Sequence, residues 1–368
     1  MNIPFNDLKR AFDRRQAAYE AALADALRSG YYVLGNRVGE FESSFARYIG
    51  MRYGIGVNSG QDALILAVRA LGIGPGDEVI VQANAYIASV LGITENGATP
   101  IFVEPDEYFG IDCSKIEAAI TERTKAILPV HLYGQPCDME CVSRIAKKYG
   151  LFVVEDCAQC HGSMQNGIKA GAFSDISCFS FYPTKPLGAF GDGGMCLTND
   201  TVLDEKLRML RFYGSKEKYV NEIEGVNSRL DELHAACLSV RLRYLDEDNE
   251  RRQSIARRYL DGIVNPSVTT PRIRPGCSHV FHLFPVLCGE RDALARHLAE
   301  KGVGTSIHYP IPPHLQTCYA RFGHRPGDFP MAEKYADCEL SLPIYAEMED
   351  EEVAYVIEAV NSFDAEVS

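Results

Sequence analysis

Positive charge is in short supply in this chain. Its 368 residues carry 37 Lys and Arg against 50 Asp and Glu, a formal net charge of −13, with a pI near 5.2. No dense basic run offsets that balance. The electrostatic footprint of a nucleic-acid binder is therefore missing, and docking on anionic membranes is disfavoured. Long apolar runs are missing too, since none approaches the roughly 18 residues that span a bilayer. The opening MNIPFNDLKRAFDRRQAAYEAAL is polar and amphipathic, without the apolar core and small-residue cleavage site of an export leader. Internal repeats and low-complexity tracts are absent as well.

Cysteine, by contrast, is plentiful: twelve residues lie between Cys113 and Cys338. Their spread through a large chain does not match a disulfide framework. The expectation is a reduced, cytoplasmic protein whose cysteines are mostly small buried hydrophobes. A hydrophobic share of 46% with 24% charged residues is globular rather than disordered and allows a sizeable core.

Apolar runs recur at EVIVQA, PIFVEP, KAILPVHL and LFVVED, separated by helical patterns such as KIEAAITERT and CVSRIAKKY. After an opening helix, the turn-rich YYVLGNRVGEFESSFARYIG is expected to lead into a second short helix. Near YGIGVNSGQDALILAVRALGIGPGDEVIV, a strand ending at Asn58 gives way at Ser59-Gly60 to a helix, closed by Gly72 to Gly76. Continuous rather than alternating apolar strands, each followed by a helix, predict a mostly parallel sheet covered on both faces. Beyond Asp246 a charged helix, DEDNERRQSIARRYLDGI, reads as a connector. HVFHLFPVLC then reads as a strand and RDALARHLAEKG as a helix. The expected organisation is a large α/β domain over residues 1–245 and a small α/β domain over 246–368.

Cys157-Ala158-Gln159-Cys160-His161 spells the C-x-x-C-H of covalent haem attachment. That chemistry belongs to exported proteins, and here the motif follows an apolar strand without an export signal. A thioredoxin-like reading needs the pair early in a small fold. No Cys/His grouping has zinc spacing, so no metal is expected.

Asp156 and Lys185 are more informative. LFVVED ends an apolar strand in a carboxylate, where open α/β sheets place ligand groups. DISCFSFYPTKPLGAFGDGG is a further strand entering a glycine-rich loop that carries Lys185. A lysine walled by Phe181, Tyr182 and Phe190 loses solvation, so its pKa falls and its amine becomes nucleophilic. A Schiff-base coenzyme, pyridoxal 5′-phosphate, needs such an amine, an acid against its ring nitrogen, an anion cradle and a stacking plate. Asp156 suits the ring nitrogen. Ser59 and Gly60 open a helix whose free N–H groups suit a phosphate, and Ser180 adds a hydroxyl. Tyr86 is the candidate plate. Each feature alone is ordinary; the ordered set is not.

With those residues in place, the chain resembles the DegT-type sugar aminotransferases, a pyridoxal-phosphate family of the aspartate-aminotransferase fold. The resemblance runs through NSGQDALILAVRALGIGPGDEVI, VEDCAQCHGS, FSFYPTKPLGAFGDGG, GVNSRLDELHAA and GTSIHYPIPPHLQ. It implies a fold type I large domain with a smaller C-terminal α/β domain. Lys185 would carry the coenzyme covalently and shuttle protons, and Asp156 would pair with the ring nitrogen. Gln159 would lie near the ring, Ser59, Gly60, Gln61 and Ser180 at the phosphate, and Tyr86 against the ring. Asn227 matches a residue that reaches the phosphate from the other subunit, which implies a homodimer with shared active sites. Tyr182, Arg229, His308 and Tyr309 would face the substrate. The family usually has Thr at the position of Gln61, Asn at that of Pro186, and small residues at those of Cys157 and Cys160.

The implied reaction moves an amino group from L-glutamate to a keto-sugar nucleotide, one base serving both halves. QANAYIAS, RFYGSKEKY and NEIEGVNSRLDE look most like the branch acting on dTDP-3-oxo-6-deoxyhexoses, whose amino sugars enter O-antigen, S-layer glycans or antibiotics. Amination at C4 of dTDP, UDP or GDP sugars, or at C3 of UDP-uronic acids, is the alternative. A 3-dehydratase would carry histidine in place of Lys185. A non-catalytic regulator is the reading from a different class, and the charge balance disfavours it.

Overall fold

A computed structural model describes residues 1–364. Two helices, α1 (Leu8–Asp13) and α2 (Gln16–Arg28), precede α3 (Asn36–Ile49). At 14 residues α3 is longer than expected, because Val38, Phe41, Phe45 and Ile49 fall on one buried face. Strands and helices then alternate: β1 (Tyr53–Val57), α4 (Gly60–Ala70), β2 (Glu78–Gln82), α5 (Ile87–Thr94), β3 (Thr99–Val103), α6 (Cys113–Ala119), β4 (Thr124–Leu128), α7 (Met139–Tyr149) and β5 (Phe152–Asp156). A small ribbon, β6 (Met164–Gln165) with β7 (Ile168–Lys169), leads to β8 (Ile176–Ser180) and β9 (Gly194–Thr198). After α8 (Thr201–Leu210) comes a second ribbon, β10 (Ser215–Glu217) with β11 (Val220–Asn221), then α9 (Glu232–Leu242) and α10 (Leu245–Gly262). The remaining elements are β12 (Phe284–Leu287), α11 (Arg291–Glu300), α12 (Pro330–Cys338), β13 (Glu339–Leu342) and α13 (Asp350–Asn361).

Seven strands join in the order β1-β9-β8-β5-β4-β2-β3, and β9 alone runs against the rest. The fold is thus α/β with a mostly parallel sheet. Both faces are buried, which is why the strands are apolar at successive positions. Val79, Val81, Leu128 and Val154 pack under α4 and α5, while Ile80, Ile127 and Val153 face the opposite way, toward α6 and α7. Phe179 and Leu197 extend the second face under α3 and α9.

A separate core gathers Ile255 and Tyr259 of α10, Phe284, Leu294, Leu298, Leu340, Val353, Val356 and Val360 around the antiparallel β12–β13 pair. Ile3 is buried in it, donating to the Gly302 carbonyl and accepting from the Gly304 amide, both at 2.8 Å. The strand expected over HVFHLFPVLC is confined to Phe284–Leu287. The preceding residues break ladder geometry: Phe281 has φ +48°, and the Val280 amide donates to Gly134 O at 2.9 Å. That detour carries His282 and Leu283 to the cavity described next. Among the described residues, no helix is long and apolar enough to cross a membrane.

Candidate active site

Parallel strands expose unpaired backbone groups and loops at their carboxyl ends, and ligand groups collect there. Ser59 lies two residues past β1 and Tyr86 four past β2, while Asp156 and Ser180 are the last residues of β5 and β8. These four, with Gly60, Gln61, Gln159, Tyr182, Lys185, His308 and Tyr309, line one cavity of about 660 Å³. That volume suits a small-molecule site.

Lys185 keeps some accessible surface where it lines the cavity, yet desolvation pulls its amine down to about 8. The Asp156 charge opposes that fall, and both side chains line the same cavity. Asp156 itself is buried. It accepts from Ser89 Oγ at 2.6 Å and from the Ala158 amide at 3.1 Å, so its carboxylate is fixed without a cationic partner among its hydrogen bonds. Ser89 was not singled out from sequence. It sits inside an apolar helical run, and only the packing of α5 against β5 reveals its role.

In the same cavity, Ser59 caps α4, its Oγ accepting from the Asp62 amide at 3.1 Å. The amides of Gly60 and Gln61 have no protein partner among the described residues, as expected for a helix's first turn. The backbone there is held close. A Cβ on Gly60 would lie 2.5 Å from Ser180 Cβ, and one on Gly194 would lie 2.2 Å from Ser59 O. The result is a cradle of free N–H groups and the Ser59 and Ser180 hydroxyls, at the positive end of a helix. Gln61 lines the cavity, but its side-chain amide donates to Glu95 Oε1 at 3.0 Å, leaving its backbone N–H as the group facing an anion.

The side wall is aromatic. Tyr86 and Tyr309 have ring centroids 4.7 Å apart. Gln159 bridges the two halves of the site: its Oε1 accepts from the Tyr133 amide at 2.6 Å, and its Nε2 donates to the Tyr309 hydroxyl at 3.3 Å. Tyr133 Oη donates to the His308 carbonyl at 2.5 Å. Phe5, Asn6, Asn58, Thr184, Asp192 and His282 also line the cavity. Asn58, Thr184 and Asp192 lie inside the quoted motifs but carry no signal of their own there, while Phe5, Asn6 and His282 reach the cavity from segments distant in sequence.

Two expected residues lie outside. Asn227 is exposed, bridged to Phe212, and Arg229 stacks over the rings of Phe212 and Tyr213 at 5.7 and 5.8 Å. The C-x-x-C-H run resolves into packing: Cys157 and Cys160 are buried free thiols, and His161 lies among Phe45, Phe179 and Phe181. His131 approaches both thiols, but its two ring nitrogens are engaged by Glu155 and the Cys137 amide.

The donor set fits pyridoxal 5′-phosphate: a near-neutral amine, a fixed anion, an N–H cradle and an aromatic plate share one cavity. Comparisons with known proteins agree. The model of the DegT/DnrJ/EryC1/StrS aminotransferase family matches residues 14–361. The dTDP-3-amino-3,6-dideoxy-alpha-D-galactopyranose transaminase of Aneurinibacillus thermoaerophilus is 53% identical, over 98% of this chain and 99% of its own. The crystal structure of Streptomyces venezuelae DesV in complex with a ketimine intermediate superposes with a TM-score of 0.96 at 48% identity, covering 98% of each chain. Bacillus subtilis NtdA with bound cofactor PMP gives 0.91 at 33%, covering 98% of this chain and 84% of that one.

Proposed function

Because this chain belongs to the DegT/DnrJ/EryC1/StrS aminotransferase family, a pyridoxal-phosphate family, we propose that Lys185 and its cavity transfer an amino group from L-glutamate to a keto-sugar nucleotide. The observation that carries the site assignment is the desolvated Lys185 amine sharing one cavity with Asp156 and the α4 cradle. When bound, pyridoxal 5′-phosphate supplies an aldehyde that takes up amino groups and a ring that withdraws electrons from the carbon losing its proton.

The chain's own groups supply the rest. Lys185 Nζ, neutral above about pH 8, would hold the coenzyme covalently and, once displaced by the incoming amino group, would serve as the base that carries a proton in both halves of the reaction. Asp156, held in place by Ser89 and Ala158, would pair with the ring nitrogen and keep it protonated. The Gly60 and Gln61 amides with Ser59 and Ser180 would hold the phosphate, and Tyr86 would stack on the ring. Gln159 ties the ring pocket to Tyr309, while Tyr182, His308 and Tyr309 form the wall that the sugar meets.

For the substrate we favour a dTDP-3-oxo-6-deoxyhexose, aminated to a dTDP-3-amino-3,6-dideoxyhexose, as the activity of the Aneurinibacillus relative supports. Asn227 and Arg229, outside the cavity of their own chain, would complete the site of a second copy, Asn227 at the phosphate and Arg229 as an anion contact. The protein would then be a cytoplasmic homodimer, each chain divided near residue 245 into a large and a small domain. The test is to load the enzyme with pyridoxal 5′-phosphate and glutamate, then offer dTDP-3-oxo-6-deoxyhexose and dTDP-4-oxo-6-deoxyglucose separately. NMR of the product should place the new C–N bond at C3; a bond at C4 replaces the substrate proposal and keeps the residue roles.

A further inference from the structure

His308 belongs to the sugar-facing wall, and what it offers a ligand depends on which ring nitrogen carries its proton. Its Nδ1 lies 2.9 Å from Ser341 Oγ. Ser341 Oγ in turn donates to Glu339 Oε1 at 2.5 Å, and Glu339 Oε2 accepts from the His308 backbone amide at 2.6 Å. Glu339 and Ser341 are both fully buried on β13. Nε2 has no protein partner among the described residues, and the ring lines the cavity.

We propose that the Glu339–Ser341 pair sets the tautomer of His308, so that the ring presents the cavity with a bare Nε2, an acceptor for a sugar hydroxyl. The argument is one of counting protons. A serine hydroxyl has a single hydrogen, and here it goes to the carboxylate. Toward Nδ1, Oγ can therefore only accept, so Nδ1 carries the proton. Burial, aided by the Lys185 charge, pulls His308 down to about 4, so the ring holds one proton and Nε2 is left bare. Glu339 makes the device reversible, because burial pushes its carboxyl up to about 7. A protonated Glu339 would donate to Ser341 Oγ, whose hydrogen would turn to Nδ1, and the ring would release its Nδ1 proton while gaining one at Nε2. The net change is one proton taken up by the carboxyl. The acceptor form belongs above about pH 7 and the donor form below. Other titratable groups around the relay are Arg291, which donates to the Glu339 carbonyl and opposes the carboxyl's rise, the phenols of Tyr133 and Tyr309, and Lys185 and His282 near His308.

Glu339 and Ser341 are thus positioning residues for the proposed sugar contact, and the inference rests on that reading only for the identity of the hydroxyl donor. The test is nitrogen-15 NMR of histidine-labelled, coenzyme-loaded enzyme without sugar, the His308 signals assigned by their loss in His308→Gln. At pH 8 they should show a protonated Nδ1 and a bare Nε2, exchanging to the reverse tautomer as pH falls through about 7. In Glu339→Gln the amide oxygen must accept from the His308 amide, so its NH2 donates to Ser341 and the Nε2–H form should persist at pH 8. Ser341→Ala should remove the pH response while leaving the buried carboxyl in place. Both variants should raise the sugar KM about tenfold with the coenzyme spectrum unchanged. An Nε2–H ring in the native enzyme at pH 8, or a tautomer that ignores both substitutions, overturns the inference. Because no sugar is present in the spectra, an error in the substrate assignment would show in turnover and not in the tautomer.

Discussion

A protonated amine does not attack an aldehyde, so the depressed pKa of Lys185 has a direct kinetic reading. Below about pH 8 the amine is charged; above it the nucleophile is free. The rate at which coenzyme-free protein captures pyridoxal 5′-phosphate should therefore climb between pH 7 and 9 and level off above. The Asp156 carboxylate pulls that pKa upward, so Asp156→Asn should move the midpoint of the profile to lower pH. The same variant should lose on the order of 10²-fold or more in turnover, because a preorganised charge facing the reacting ring has been removed. Stopped-flow absorbance gives the first result and steady-state assays the second. A capture profile that is flat between pH 7 and 9 would remove the desolvated amine from the mechanism. Lys185→Ala should abolish covalent capture and lower turnover by at least about 10²–10⁴-fold, the range of a positioned acid–base group.

The start of α4 makes a prediction at the level of an element. Its free amides reach an anion only because Gly60 lets the helix settle against Ser180. Gly60→Ala must displace one or the other, and an overpacking cost of about 1–3 kcal/mol translates into about a 5- to 160-fold weaker coenzyme affinity. Fluorescence titration with pyridoxal 5′-phosphate measures it, and unchanged affinity would move the phosphate elsewhere. This cradle was legible in the sequence, because a strand end, Ser59-Gly60 and an apolar helical run mark a helix start without any tertiary knowledge. Asp156 and Lys185 were legible for the same reason: each follows a continuous apolar strand whose carboxyl end is fixed by topology. Ser89, Glu339 and His282 were not. Each owes its place to packing between elements distant in sequence, as when α5 brings Ser89 to Asp156 across 67 positions. The strand at HVFHLFPVLC was overextended for a related reason. Apolar residues score alike whether they pair in a ladder or turn toward a cavity.

At the scale of the molecule the two ends of the chain are tied together, and the site depends on more than one core. Ile3 is fully buried among residues of the C-terminal half, and Arg10 grips Glu352 of α13 with two hydrogen bonds of 2.8 and 2.9 Å. Ile3→Ala should cost about 2–5 kcal/mol, read as a lower urea midpoint for the transition that involves this core. The proposed dimer carries the stronger consequence. Tyr31, Tyr32, Val33 and Tyr213 are exposed, and bridges of Val33 to Asp231 and Phe212 to Asn227 place them at the two ends of the short segment 227–231. So much exposed aromatic surface beside Asn227 and Arg229 is what a subunit contact would cover. If Asn227 serves the neighbouring site, Asn227→Ala and Lys185→Ala damage opposite partners of one active centre. Each variant alone should be impaired, Lys185→Ala completely. Refolded or co-expressed together, they form mixed dimers in which one site draws its lysine from one chain and its asparagine from the other, and so is intact. With random pairing, activity should recover to about a quarter of the native value. If Asn227 acted within its own chain, every site in the mixture would lack one group or the other, and the mixture would do no better than the average of its parents.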